Sequence, residues 1–139
     1  MPKPYIPNDK WAQKAKQDGY RARSVYKLMQ LDEALHLIEP GMRVLDIGAA
    51  PGSWLQYTGK KLSAPGHVLG LDLQPIVAIG PTVTTAVCDV FDHAKVLEAM
   101  SKLEWTQVDL LLSDAAPNTS GIKDVDQWRS IELNRRILD

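Results

Sequence analysis

The chain has 139 residues, 45% of them hydrophobic, one cysteine and a formal net charge of −1. That length holds about one domain. No apolar run approaches the roughly 20 residues that span a bilayer, the start lacks the apolar centre of a secretory signal, and a lone Cys88 excludes an internal disulfide or a cysteine zinc cluster. A soluble, cytoplasmic protein is expected. The charge is unevenly divided: residues 1–27 hold seven Lys and Arg against two Asp, a net +5, and the remainder carries −6. The basic segment is either a surface for a polyanion or an ordinary solvated helix face.

In chain order, residues 1–8 contain three prolines and read as a loose arm. Asn8 or Asp9 can cap a helix over "KWAQKAKQD", which Gly19 stops. Ser24 caps a second helix, in which Leu28, Leu31, Leu35 and Ile38 recur at helical spacing and predict a buried stripe. "EPG" at 39–41 ends it. "RVLDIG" reads as a buried strand and "GSWLQYTGKKL" as a helix. "HVLGLDL" is a second strand and "TVTTAVCDV" a third. "AKVLEAMSKL" is a helix and "VDLLLSD" a fourth strand. After a polar loop, "DVDQWRSIELNRRILD" looks helical, with Asp124 or Asp126 as its cap. Strands alternating with helices predict an α/β fold, a parallel sheet with helices on both faces.

In such sheets ligands sit beyond the carboxyl ends of the strands. "DIGAAPG" occupies that place after the first strand. Gly48 and Gly52 can take dihedrals closed to other residues and keep Cβ atoms away from a ligand. The loop is not "GxGxxG", since Ala50 and Pro51 replace the middle glycine and its neighbour, and it lacks the lysine and hydroxyl of a phosphate-binding loop. Asp46, at the strand's end, would repel a phosphate and attract a cation. That favours a ligand such as S-adenosylmethionine, with its ammonium and sulfonium. Asp72 ends the second strand and can accept the hydroxyls of a ribose. Asp89, after the third, can reach an adenine amino group. With Asp114 after the fourth, each strand ends near an acid. Such acids also serve as helix caps, but four beside a glycine turn make a site the better reading.

These motifs together resemble the FtsJ family of ribosomal RNA 2′-O-methyltransferases, whose pattern includes "GAAPG-G-W" after strand one and "SD-x-APN-x-SG" after strand four. Here they read "DIGAAPGSWLQY" and "SDAAPNTSG", and "GYRARSVYKLMQLDEA" and "EPGMRVLD" also fit. The resemblance implies a Rossmann-like, S-adenosylmethionine-dependent methyltransferase fold. It places cofactor contacts on Gly52, Trp54, Asp72, Asp89 and Asp114, with Gly48 shaping the loop. The family's catalytic order is Lys, Asp, Lys, Glu; the first two fall on Lys27 and Asp114. The chain ends before the second lysine and the glutamate, so the C-terminal strands are expected to be missing. Cofactor binding with little or no turnover is expected. The implied reaction moves a methyl group to a ribose 2′-hydroxyl of ribosomal RNA, in the large subunit.

In that scheme Lys27 orients the hydroxyl and stabilises charge developing on it; in isolation it would read as a snorkelling helix lysine. Residues 1–40 become a basic, helical RNA-binding segment and 41–139 the cofactor-binding core. Lys10, Lys14, Lys16, Arg21 and Arg23 are the expected phosphate contacts, which position RNA without reading its sequence. Trp11 and Tyr20 either stack on bases or anchor the first helices. No metal is required, and His36, His67 and His93 are scattered. Cys88 reads as a small core residue. A sheet ending on strand four would leave an edge for self-association, or for a helix to cover, or would leave the fold marginally stable. Alternatives are a catalytically inactive cofactor- or RNA-binding fragment, and a 2′-O-methyltransferase of transfer RNA or messenger RNA caps. A nicotinamide dehydrogenase is opposed by "GAAPG" and "SDAAPN".

Overall fold

The computed structural model describes residues 6–114, with only the backbone described for 6–9. Two helices, α1 (Ile6–Asp18) and α2 (Val25–Leu35), precede the first strand, β1 (Arg43–Ile47). Then follow α3 (Ser53–Lys61), β2 (His67–Asp72), β3 (Val83–Val87), α4 (His93–Ser101) and β4 (Leu110–Ser113). The strands form one parallel sheet in the order β3-β2-β1-β4. The chain runs outward from β1 to β3 and then returns to the other side of β1. The point of reversal lies between β1 and β4, where open sheets of this kind bind ligands.

Both faces of the sheet are covered, and β1, β2 and β4 are buried along nearly their whole length. Side chains alternate between the faces. Val44, Val68, Leu110 and Leu112 pack with Leu28, Ile38, Trp54 and Leu55 from the α2 and α3 side. Leu45, Ile47, Leu69, Leu71 and Leu111 pack with Val96 and Met100 of α4 and with Cys88. Leu28 and Ile38 thus belong to the same core as the strands, and a boundary drawn at residue 40 runs through that core.

Several expectations require correction. Asn8 and Asp9 lie inside α1, which begins two residues before Asn8. Ser24 stands at the cap position of α2, but its backbone is helical and its hydroxyl does not cap. It meets the Ser53 hydroxyl at 3.3 Å instead. The predicted stripe on α2 is half right. Leu28 and Ile38 are buried, whereas Leu31 and Leu35 are 39% and 61% exposed. The helix ends at Leu35, with His36 in the left-handed region at φ 52°. The buried face is completed by an acid. Asp32 accepts from Ile38 N–H at 2.9 Å and from the Tyr57 hydroxyl at 2.8 Å, and pairs with Lys61 at 3.2 Å. Burial pushes the Asp32 carboxyl up, but these three partners outweigh it and hold it below the ordinary range. The network fixes α2 against α3.

No helix separates β2 from β3; Ile76 and Ile79 of that connection pack onto the α3-side core. The last predicted helix, the loop beyond Asp114 and whatever meets the outer edge of β4 lie outside the described residues.

Candidate active site

The turn after β1 is built by backbone bonds to the end of β2. Gly48 and Ala49 donate to the Leu71 carbonyl at 2.8 and 3.0 Å. Ala50 N–H donates to the Asp72 carboxylate at 2.9 Å, and Gln74 N–H donates to the other Asp72 oxygen at 2.9 Å. Asp72 therefore holds the glycine turn and the start of the β2–β3 loop together. Gly48 has φ +72° and Gly52 has φ +118°, values that side-chain-bearing residues rarely adopt. Gly52 is the N-cap of α3.

The turn, the start of α3 and the ends of β1 and β4 enclose a small cleft. Asp46 forms its floor. In register it lies between Gly70 of β2 and Leu112 of β4, on the α3 face of the sheet. It is 1% exposed, and neither carboxylate oxygen has a hydrogen-bond partner among the described residues. Desolvation raises its pKa well above the ordinary value, and the charges of Asp114 and Asp72 raise it further. A buried carboxylate in this state is strongly disfavoured unless a cation or donor reaches it. The glycine beside it has a packing cause: a Cβ at Gly70 would lie 2.6 Å from a Leu55 methyl and 3.2 Å from Ala49. This close approach lets α3 roof the cleft directly over Asp46.

Trp54 is 5% exposed, lines the cleft and belongs to the core, and its indole N–H donates to the Ser24 carbonyl at 2.9 Å. Lys27, from the first turn of α2, and Asp114, just after β4, come together at 3.8 Å. Their side chains are 66% and 32% exposed, so the pair sits at the mouth of the cleft, facing solvent. Asp89 is exposed, beyond the end of β3, and accepts from Phe91 N–H at 2.9 Å. The set combines an acid floor, a glycine-bearing turn and a lysine–aspartate pair at the rim. It suits a ligand with a cationic part and an attacking group held near Lys27.

The basic candidates divide. Lys10 and Lys16 are exposed on α1, and Arg23 is exposed before α2. Lys14 pairs with Asp18 at 3.1 Å and lies over the Tyr26 ring. Arg21 points to backbone: Nη1 donates to the carbonyls of Pro51 and Val77 at 2.9 and 2.8 Å, and Nη2 to that of Ala78 at 3.2 Å. Trp11 packs against Tyr26, with ring centroids 5.3 Å apart, and Lys60 lies over the Tyr20 ring. The residues missed in the sequence are Ser53 and Gln56 of α3 and the lining role of Ser24. Ser53 directly follows the Gly52 cap. Gln56 accepts from Arg21 N–H and donates to the Gly19 carbonyl. A polar pair facing inward on the first turn of α3 was the only signal.

Residues 20–139 match the model of the FtsJ-like methyltransferase family. This chain belongs to that family. It is 46% identical over 132 residues to the ribosomal RNA large subunit methyltransferase E of Azoarcus sp. (strain BH72), covering 95% of this chain and 64% of that protein. It is 45% identical over 136 residues to the protein of the same name from Sorangium cellulosum (strain So ce56), covering 97% and 62%. Among solved structures, it resembles a chain described as a ribosomal RNA methyltransferase from Plasmodium falciparum. The TM-score there is 0.61 at 28% identity, over 86% of this chain and 69% of that one. The chain thus spans less than two thirds of the curated relatives' length. The Rossmann-like α/β fold expected from the sequence agrees with this membership.

Proposed function

We propose that this chain carries the cofactor site and the first half of the catalytic set of an S-adenosylmethionine-dependent 2′-O-methyltransferase acting on ribosomal RNA of the large subunit. The observation that carries the reading is the Lys27–Asp114 pair at the mouth of a cleft floored by the unpartnered carboxylate of Asp46. A pyrophosphate would meet repulsion there. The cationic methyl donor fits, since it brings the positive charge that the buried acid lacks.

Asp46 would stabilise the donor's cationic part. Asp72 keeps acceptor capacity beyond its two backbone bonds for ribose hydroxyls, and Asp89 would accept from the adenine amino group. Gly48 lets the turn approach the donor, Gly52 leaves its Cβ space to Arg21 and Ile79, and Trp54 walls the pocket. When bound, the donor supplies a methyl group on a sulfonium whose leaving group is a neutral thioether. The remaining difficulty is the nucleophile. Lys27, drawn toward Asp114, would orient a 2′-hydroxyl and stabilise the negative charge that grows on its oxygen. Holding the reactants in line can contribute several kcal/mol, up to about 7–11. Lys10, Lys14, Lys16 and Arg23 would meet RNA phosphates, consistent with the positive charge of residues 1–27. Within this reading α1 and the turn before α2 present RNA to the rest of the domain.

Calorimetric titration with S-adenosylmethionine tests the assignment. One equivalent should bind, Asp72→Ala should weaken binding about tenfold or more, and Lys27→Ala should leave donor affinity unchanged. Failure of the unsubstituted chain to bind the donor sinks the reading.

A further inference from the structure

The β2–β3 connection lies against the glycine turn and has no helix or strand of its own. Its first residues are held by Asp72. Its far part, 76–79, packs two isoleucines inward and leaves Val77 76% exposed. Among the described residues, the hydrogen bonds that reach the Val77 and Ala78 carbonyls come from one side chain, Arg21. The same guanidinium reaches the Pro51 carbonyl, one residue before the cap of α3. Gly52 makes room for it: a Cβ there would lie 3.0 Å from Arg21 Nη1 and 3.1 Å from Ile79. The Arg21 backbone is itself fixed, since its N–H donates to Gln56 at 2.9 Å and Gln56 donates to Gly19 at 3.0 Å.

We propose that Arg21 is a positioning residue of the donor pocket, clamping the β2–β3 loop onto the glycine turn, and that it makes no RNA phosphate contact. The inference rests on the methyl-donor reading given above. A planar guanidinium carries five donors in a rigid fork, so one side chain can bridge carbonyls from two segments at once. Lysine, a point charge on a flexible stem, cannot reproduce that span. Both Nη1 hydrogens and one of Nη2 are engaged, so three of the five donors hold backbone carbonyls. The clamp joins the loop to Pro51, which lines the cleft. Releasing it frees residues 75–79 and loosens Pro51, while Lys10 and Lys16 on α1 keep their places.

The test titrates S-adenosylhomocysteine into the unsubstituted chain, Arg21→Lys and Arg21→Ala, and measures binding of each to a large-subunit ribosomal RNA fragment across a salt series. Both variants should raise the Kd for S-adenosylhomocysteine tenfold or more and accelerate amide exchange at 75–80. The salt slope of RNA binding should stay unchanged. A phosphate contact predicts the reverse: Arg21→Lys would keep RNA affinity, Arg21→Ala would reduce the slope by about 1, and the Kd would hold in both. That result overturns the proposal. So does a lowered melting temperature with unchanged Kd in Arg21→Lys, the variant that retains charge if Arg21→Ala fails to fold. Absence of binding by the unsubstituted chain instead sinks the donor reading itself.

Discussion

Two buried aspartates give this protein opposite responses to pH. Asp46 has burial and two like charges against its ionised form, and no partner for it among the described residues. Its raised folded pKa means that stability is greatest below the ordinary value of 3.8 and is lost as pH rises through the raised value. Asp32 has burial offset by Ile38, Tyr57 and Lys61. Its lowered pKa means that stability is present above 3.8 and is lost as pH falls through the folded value. Thermal melts of the donor-free chain from pH 3 to 8 should therefore show a broad acid-side maximum. Asp46→Asn should flatten the decline toward neutrality and raise the melting temperature at pH 8. The same variant should weaken donor binding about tenfold or more, since a bond to a charged group contributes roughly 1.5–3 kcal/mol. Asp46 was legible in the sequence as an acid at a strand end. Its isolation was not, because that depends on Gly70 and Leu112 being its neighbours in register. The backbone partners of Arg21 were hidden for a related reason. Its acceptors are main-chain carbonyls brought in from positions 51, 77 and 78, and no residue type announces them.

At the level of elements, α2 and α3 are placed by features of unequal legibility. Strand runs, the glycine turn and the breaks after α1 and α3 were readable because apolar runs and glycines mark them locally. The buried face of α2 was not, because an acid completes it and two leucines of the stripe face solvent. Leu28→Ala should destabilise by about 2–5 kcal/mol, whereas Leu35→Ala should change stability by less than about 0.5 kcal/mol. Urea denaturation of the two variants checks this, and equal costs would contradict the packing described. Gly70 carries the contact of α3 with the sheet. Gly70→Ala presses a methyl onto Leu55 inside a full core. It should cost roughly 1–3 kcal/mol and weaken donor affinity by lifting α3 from Asp46. Unchanged affinity at reduced stability would separate the roof of the cleft from ligand binding.

For the whole molecule, the charge division seen in the sequence coincides with the layout of the fold. The acidic body holds the cleft, and the basic surface stands on α1 and the turn before α2. Phosphate binding releases counterions, so log affinity for RNA should fall linearly with log salt concentration. Lys10→Ala and Lys16→Ala should each reduce that slope by about 1, with donor affinity constant; a slope that ignores both substitutions would remove α1 from the interface. The attachment of α1 carries a consequence for how such proteins can be rebuilt. Trp11, Lys14 and Asp18 all converge on Tyr26 of α2, whose hydroxyl bonds to Asp18 and whose phenol is pushed up to about 12 by burial and that carboxylate. The ties that shape the cleft begin only at Gly19. Tyr26 is thus a socket, and α1 a cassette plugged into it. A helix of different surface, keeping Trp11, Ala15 and Asp18, could be exchanged at this joint while the cleft stays untouched.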